Sequence, residues 1–116
     1  MAQNEILGGF QILVLGAIGG LRDKDTGLSY ASGVSVRKEI LVKTGRSVSL
    51  SAVYTTLDRL AKQNYIDSEV SDRIGNRPMR FYYLSGDGQR ALTETRQATE
   101  SILDWLVLPA LDRRTT

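Results

Sequence analysis

Apolar residues along the chain follow two periods. Ile6, Leu7, Phe10, Leu13, Val14, Ala17, Ile18 and Leu21 recur at steps of three and four. They predict a first helix that is apolar around most of its circumference. Residues 22–32 are polar and read as a loop. Val36, Ile40 and Leu41 predict a short amphipathic helix over 34–44, ended by Gly45. After the tight connection 46–48, Ser49 is a good helix cap for a third helix carrying Leu50, Val53, Leu57, Leu60 and Ala61. Beyond a turn at Asn64 the period changes. Tyr65, Ile66, Ser68 and Val70 alternate loosely, and residues 80–84 form an aromatic run; Gly75-Asn76 between them is a turn signal. Ser85 or Asp87 then caps a final helix with Ala91, Leu92, Thr95, Ala98, Thr99, Ile102, Leu103 and Leu106 on its stripe. Residues 102–111 are apolar nearly all round, and Pro109 is expected to end or kink the helix.

The predicted fold is mainly α with a β-hairpin wing: a winged helix-turn-helix followed by a long C-terminal helix. Residues 1–85 are expected to form the DNA-binding domain and 86–116 a dimerisation helix. The first and last helices carry more apolar surface than a chain of 116 residues is expected to cover alone. A homodimer is therefore expected, with the first helix also contributing to its seam.

The formal net charge of +2 says little by itself. Its distribution says more. Residues 1–33 hold two Lys/Arg against three Asp/Glu, residues 34–80 nine against five, and residues 81–116 four against five. The excess cation sits on the helix-turn-helix and wing, as an electrostatic footprint for nucleic acid would. The chain has no Cys and no His. Thiolate and imidazole chemistry and the common transition-metal ligand sets are therefore excluded, and a cytoplasmic protein without cofactor or metal is expected. No nucleophile–base pair or Gly-rich phosphate loop is present, so an enzyme is not expected. The apolar run 8–21 is shorter than the roughly 20 residues that span a bilayer and has no basic region before it. It is expected as a buried helix, and no membrane partner is expected.

The third helix has the two faces that major-groove reading requires. Its apolar row faces the core, and Ser51, Tyr54, Thr55, Asp58 and Lys62 lie opposite. Arg73, Arg77 and Arg80 flank the hairpin turn, where cations suit phosphate or minor-groove contact. Double-stranded DNA is the expected partner. A protein-interaction module that keeps the winged helix without sequence-specific DNA binding is the alternative.

Residues 49–66, Ser-Leu-Ser-Ala-Val-Tyr-Thr-Thr-Leu-Asp-Arg-Leu-Ala-Lys-Gln-Asn-Tyr-Ile, and residues 75–88, Gly-Asn-Arg-Pro-Met-Arg-Phe-Tyr-Tyr-Leu-Ser-Gly-Asp-Gly, resemble the PadR family of bacterial transcriptional regulators. Residues 7–15 and 33–40 also fit, so the resemblance covers nearly the whole chain. The single C-terminal helix is similar to that of the family's small subfamily. The loop 22–32 is longer than the family's usual link, with Tyr30-Ala-Ser-Gly33 in place of an Ala-Tyr-Gly-like element. The resemblance implies a dimeric repressor on a palindromic operator, with half-sites about one helical turn apart. It implies DNA contacts at Ser49, Ser51, Tyr54, Thr55 and Arg77, and further contacts at Arg37, Lys38, Arg59 and Arg73. Tyr54 reads as a half-buried packing residue ahead of a base contact, and a phosphate contact through its hydroxyl is compatible with that packing. The resemblance also implies a flat aromatic effector between the two last helices, at Trp105 with Ile102 and Phe10. Plain dimer-core packing accounts for Trp105 as well.

Overall fold

The computed structural model describes residues 7–106. Six elements follow in order: α1 (Gly9–Gly20), α2 (Gly33–Thr44), α3 (Leu50–Lys62), β1 (Ile66–Ser71), β2 (Met79–Leu84) and α4 (Gly86–Trp105). This is a winged helix-turn-helix with one long helix after the wing, as the periodicity predicts. The stretch around Pro109, expected to break the last helix, and Ile6 of the first lie outside the described residues.

α1 runs through the centre. It packs on α2, α3, β2 and α4. Val14, Leu15, Ala17 and Ile18 are buried on it. The sequence suggested that so apolar a helix needs a second subunit for cover. Within one chain α1 is covered in part: Phe10, Ile12 and Leu13 are half-buried, Ile12 and Leu13 line an open groove with α2, and Gly9, Gly16, Gly19 and Gly20 are exposed.

The caps set the helix boundaries. Ser32 caps α2 by accepting from the Ser35 amide, one residue earlier than the apolar pattern suggests. Gly45 ends α2 in the left-handed region at φ 75°, which costs glycine nothing. Ser49 caps α3 by accepting from the Ala52 amide at 3.0 Å. Of the two candidates for α4, Ser85 is the cap, accepting from the Gly88 amide. Gly88 also lets α4 start close against the turn before β1. A Cβ there would collide with the Tyr65 carbonyl, 2.9 Å from its carbon.

β1 and β2 pair antiparallel, from Ile66 opposite Leu84 to Ser71 opposite Met79. The wing tip turns through Gly75 and Asn76, both at positive φ. The loop 22–32 is more ordered than its polar composition suggests. Arg22 and Ser29 form a bridge across it, and Asp23 Oδ1 accepts from the Asp25 and Thr26 amides. Its far end joins the wing, where the Tyr82 amide donates to the Ala31 carbonyl and the Ser29 hydroxyl to the Tyr82 carbonyl.

α4 has two halves. Ala91 and Thr95 are buried on the body, and the Leu7 amide donates to the Thr95 hydroxyl. Beyond them Ile102, Leu103, Trp105 and Leu106 are all exposed, Trp105 at 79%.

Candidate nucleic-acid interface

α3 presents one face inward and one outward. Val53, Thr56, Leu57 and Leu60 are buried. Ser51, Tyr54, Thr55, Asp58 and Lys62 are exposed. The outward set therefore forms a continuous polar row along the helix, as positions spaced by three and four must. Ser49 stands at its head with its hydroxyl committed to the cap. Arg59 is exposed beside the row and makes no ion pair among the described residues.

Arg37 and Lys38 lie on the exposed side of α2. Arg37 Nε donates to the Val48 carbonyl at 2.9 Å and so ties α2 to the turn that leads into α3. Its contribution to the helix-turn-helix is at least partly structural. Lys38 makes no hydrogen bond or ion pair among the described residues.

The wing arginines separate. Arg77, at the tip, is exposed and unpaired among the described residues. Arg80 Nη1 crosses to the Ser68 hydroxyl at 2.8 Å. Arg73, counted with the DNA contacts from its place in the hairpin, turns inward. Its guanidinium lies 4.3 Å from the centre of the Phe81 ring and 5.4 Å from that of Tyr30. It donates to the Ser29 carbonyl and to Glu69 Oε2. Its Nε is buried without a partner. The side chain is 19% exposed, too enclosed to reach a DNA backbone from where it lies. Glu69 and Phe81 lie nearby in sequence, but the Ser29 carbonyl and the Tyr30 ring that complete its enclosure come from the loop 22–32, with Ser29 44 positions away.

Electrostatics at the wing base follow from the same cluster. The Glu69 carboxyl is held below the usual glutamate range, first by the hydroxyl that Tyr83 donates at 2.7 Å; desolvation opposes this, and the hydrogen bond and charge of Arg73 add to the lowering. Burial pushes the Tyr82 phenol up, with Arg80 opposing. Tyr54 and Asp58 add smaller upward pushes.

The residues considered for an aromatic effector stand apart in their surroundings. Phe10 is half-buried against the core, whereas Ile102 and Trp105 are exposed on the outer half of α4. A groove of about 360 Å³ does lie along α1 and α2, lined by Ile12, Leu13, Ala17, Glu39, Ile40 and Lys43 among others. Among the described residues, no helix is long and apolar enough to cross a membrane.

Two comparisons bear on this arrangement. A family model described as the transcriptional regulator PadR-like family matches residues 28–94. That span runs from the end of the first loop through the helix-turn-helix and wing into α4. Among solved structures, the fold is similar to a PadR family transcription regulator from Clostridium difficile R20291. The two are 18% identical with a TM-score of 0.69, over 84% of this chain and 93% of that one. It is also similar to a PadR family regulator from Eggerthella lenta DSM 2243, at 25% identity and TM-score 0.60, over 79% and 75% of the two chains. Bacillus subtilis PadR, solved in complex with operator DNA, matches at 17% identity and TM-score 0.59. The match covers 73% of this chain and 45% of that one. Among curated proteins nothing matches.

Proposed function

The chain belongs to the PadR-like family of transcriptional regulators, and from that premise we propose that it binds a palindromic DNA operator as a homodimer and represses transcription in the cytoplasm. The observation that carries this reading is the outward row of α3. Ser51, Tyr54 and Thr55 are exposed on the helix that follows the tight turn, while Val53, Leu57 and Leu60 hold that helix to the core. Short polar side chains near a helix start suit close approach to base edges. The exposed, unpaired Arg77 at the wing tip suits a phosphate. Bacillus subtilis PadR, which shares the fold, binds operator DNA.

Dimerisation rests on the two surfaces left over by the monomer. Ile102, Leu103 and Trp105 at the end of α4 and Leu106 just after it are exposed, and Ile12, Leu13, Ala17 and Ile40 line the groove along α1 and α2. A second copy covers both, with residues 86–116 as the dimerisation segment and a two-fold axis matching a palindromic site. A flat aromatic effector then sits at that seam against Trp105, with Ile102 and Phe10 beside it, and its binding releases the DNA.

The test is a gel shift with the DNA upstream of the chain's own gene, followed by selection of bound sites from a random pool. A selected palindrome is expected, and Thr55→Ala is expected to relax base preference within it. Failure to select any sequence would mean a winged-helix protein-interaction module instead. Quenching of Trp105 fluorescence by flat aromatic compounds tests the effector. No response across a panel leaves Trp105 as packing at the seam.

A further inference from the structure

Gly33, the first residue of α2, is buried, yet its backbone is not in the left-handed region. The need for glycine there is one of space. A Cβ at Gly33 would fall within 2.6 Å of the Tyr54 hydroxyl oxygen and closer still to Cε1 and Cζ. Real carbon atoms do not approach so closely, so a side chain at position 33 would have to push the Tyr54 ring aside. The tip of the Tyr54 ring therefore rests on bare backbone at the start of α2.

Tyr54 itself remains 46% exposed. Its hydroxyl makes no hydrogen bond among the described residues. A tyrosine on a solvent-facing helix row ordinarily samples several rotamers. Here the seat on Gly33 stops the ring from one side, and the hydroxyl at its tip has no hydrogen-bond partner among the described residues. The two readings of Tyr54, packing residue or DNA contact, are thus compatible: the ring packs and the hydroxyl stays free.

We infer that Gly33 is a positioning residue for DNA binding: its missing side chain seats the Tyr54 ring so that the hydroxyl is preset to donate to a DNA phosphate. This rests on the DNA-binding reading above. Gly33 does not touch DNA in this scheme and acts only through Tyr54. Ordering the ring before binding removes a rotamer cost that would otherwise fall on the complex.

The experiment is a double-mutant cycle on affinity for a random-sequence DNA duplex at low salt, with thermal melting run alongside. Tyr54→Phe is expected to weaken binding several-fold, by loss of the phosphate contact. Gly33→Ala is expected to weaken it by a similar factor, since the added methyl group displaces the ring. In a Tyr54→Ala background, Gly33→Ala is expected to change nothing, because the space is then empty. Equal losses from Gly33→Ala with and without Tyr54 would overturn the inference, as would wild-type affinity in Gly33→Ala. If Gly33→Ala alone melts too low to assay, Tyr54→Ala is compared directly with the Gly33→Ala/Tyr54→Ala pair. The pair has room for the methyl and must bind as Tyr54→Ala does; weaker binding overturns the inference. A wild-type chain that binds no DNA overturns the DNA reading and this inference with it. A wild-type chain that binds while Gly33→Ala binds equally overturns this inference alone.

Discussion

The base and the tip of the wing use the same residue type in opposite ways. Arg73 and Arg77 stand four positions apart in one hairpin, and both carry a full charge. At the base, Arg73 is stacked on Phe81 and Tyr30 and joins the wing to the Ser29 carbonyl and Glu69. At the tip, Arg77 meets only solvent among the described residues. The difference teaches that a basic hairpin is not uniformly a nucleic-acid surface. Part of its charge ties the base of the wing to the loop 22–32, and part is left over for a partner.

Removing Arg73 should have the largest effect, and it should be on stability. Arg73→Ala deletes two ring contacts and two hydrogen bonds and leaves Phe81 and Tyr30 with a gap. The expected loss is about 2–4 kcal/mol, read by urea or thermal unfolding. An unchanged melting temperature would mean that Arg73 does not hold the wing base. Arg73→Lys is a finer probe. Lysine keeps the charge but has no planar face to stack and no fork to serve two acceptors, so an intermediate loss of roughly 1–2 kcal/mol is expected.

Arg77→Ala should reverse the pattern. Its folding stability is expected within about 0.5 kcal/mol of wild type, as for an exposed side chain without partners. Its DNA affinity should fall by a similar factor for all sequences, and the slope of log affinity against log salt should shrink by about one. A stability loss as large as that of Arg73→Ala would erase the distinction between base and tip.

The smallest effect is a pH dependence at the base. Glu69 is depressed in the folded chain, first by the Tyr83 hydroxyl. Its contribution to stability is therefore complete at neutral pH, above the unfolded value, and is lost as pH falls through the folded value. The carboxylate is exposed, so the loss is expected to be shallow and to begin near pH 4, the ordinary glutamate range, at roughly that value. Glu69→Gln should flatten this part of the stability profile measured by unfolding at several pH values. A profile unchanged by that substitution would remove Glu69 from the network.

Much of the interface was legible from the chain because it is written in local spacing. The rows 53, 57, 60 and 51, 54, 55, 58 fall on opposite faces of any helix through those residues. Ser49 and Gly45 mark a cap and a stop wherever the chain goes. Those residues determined that there is a helix-turn-helix with a polar row on its second helix, and the alternation around the Gly75-Asn76 turn determined the hairpin after it. The tertiary structure alone decided which wing arginine is free, why position 33 is glycine, and how far α1 is covered. Each of those depends on a contact between residues distant in sequence: Arg73 with Ser29, Gly33 with Tyr54, and α1 with elements from both ends. Spacing along a chain sets which side chains share a face, but only the packed fold sets what that face meets.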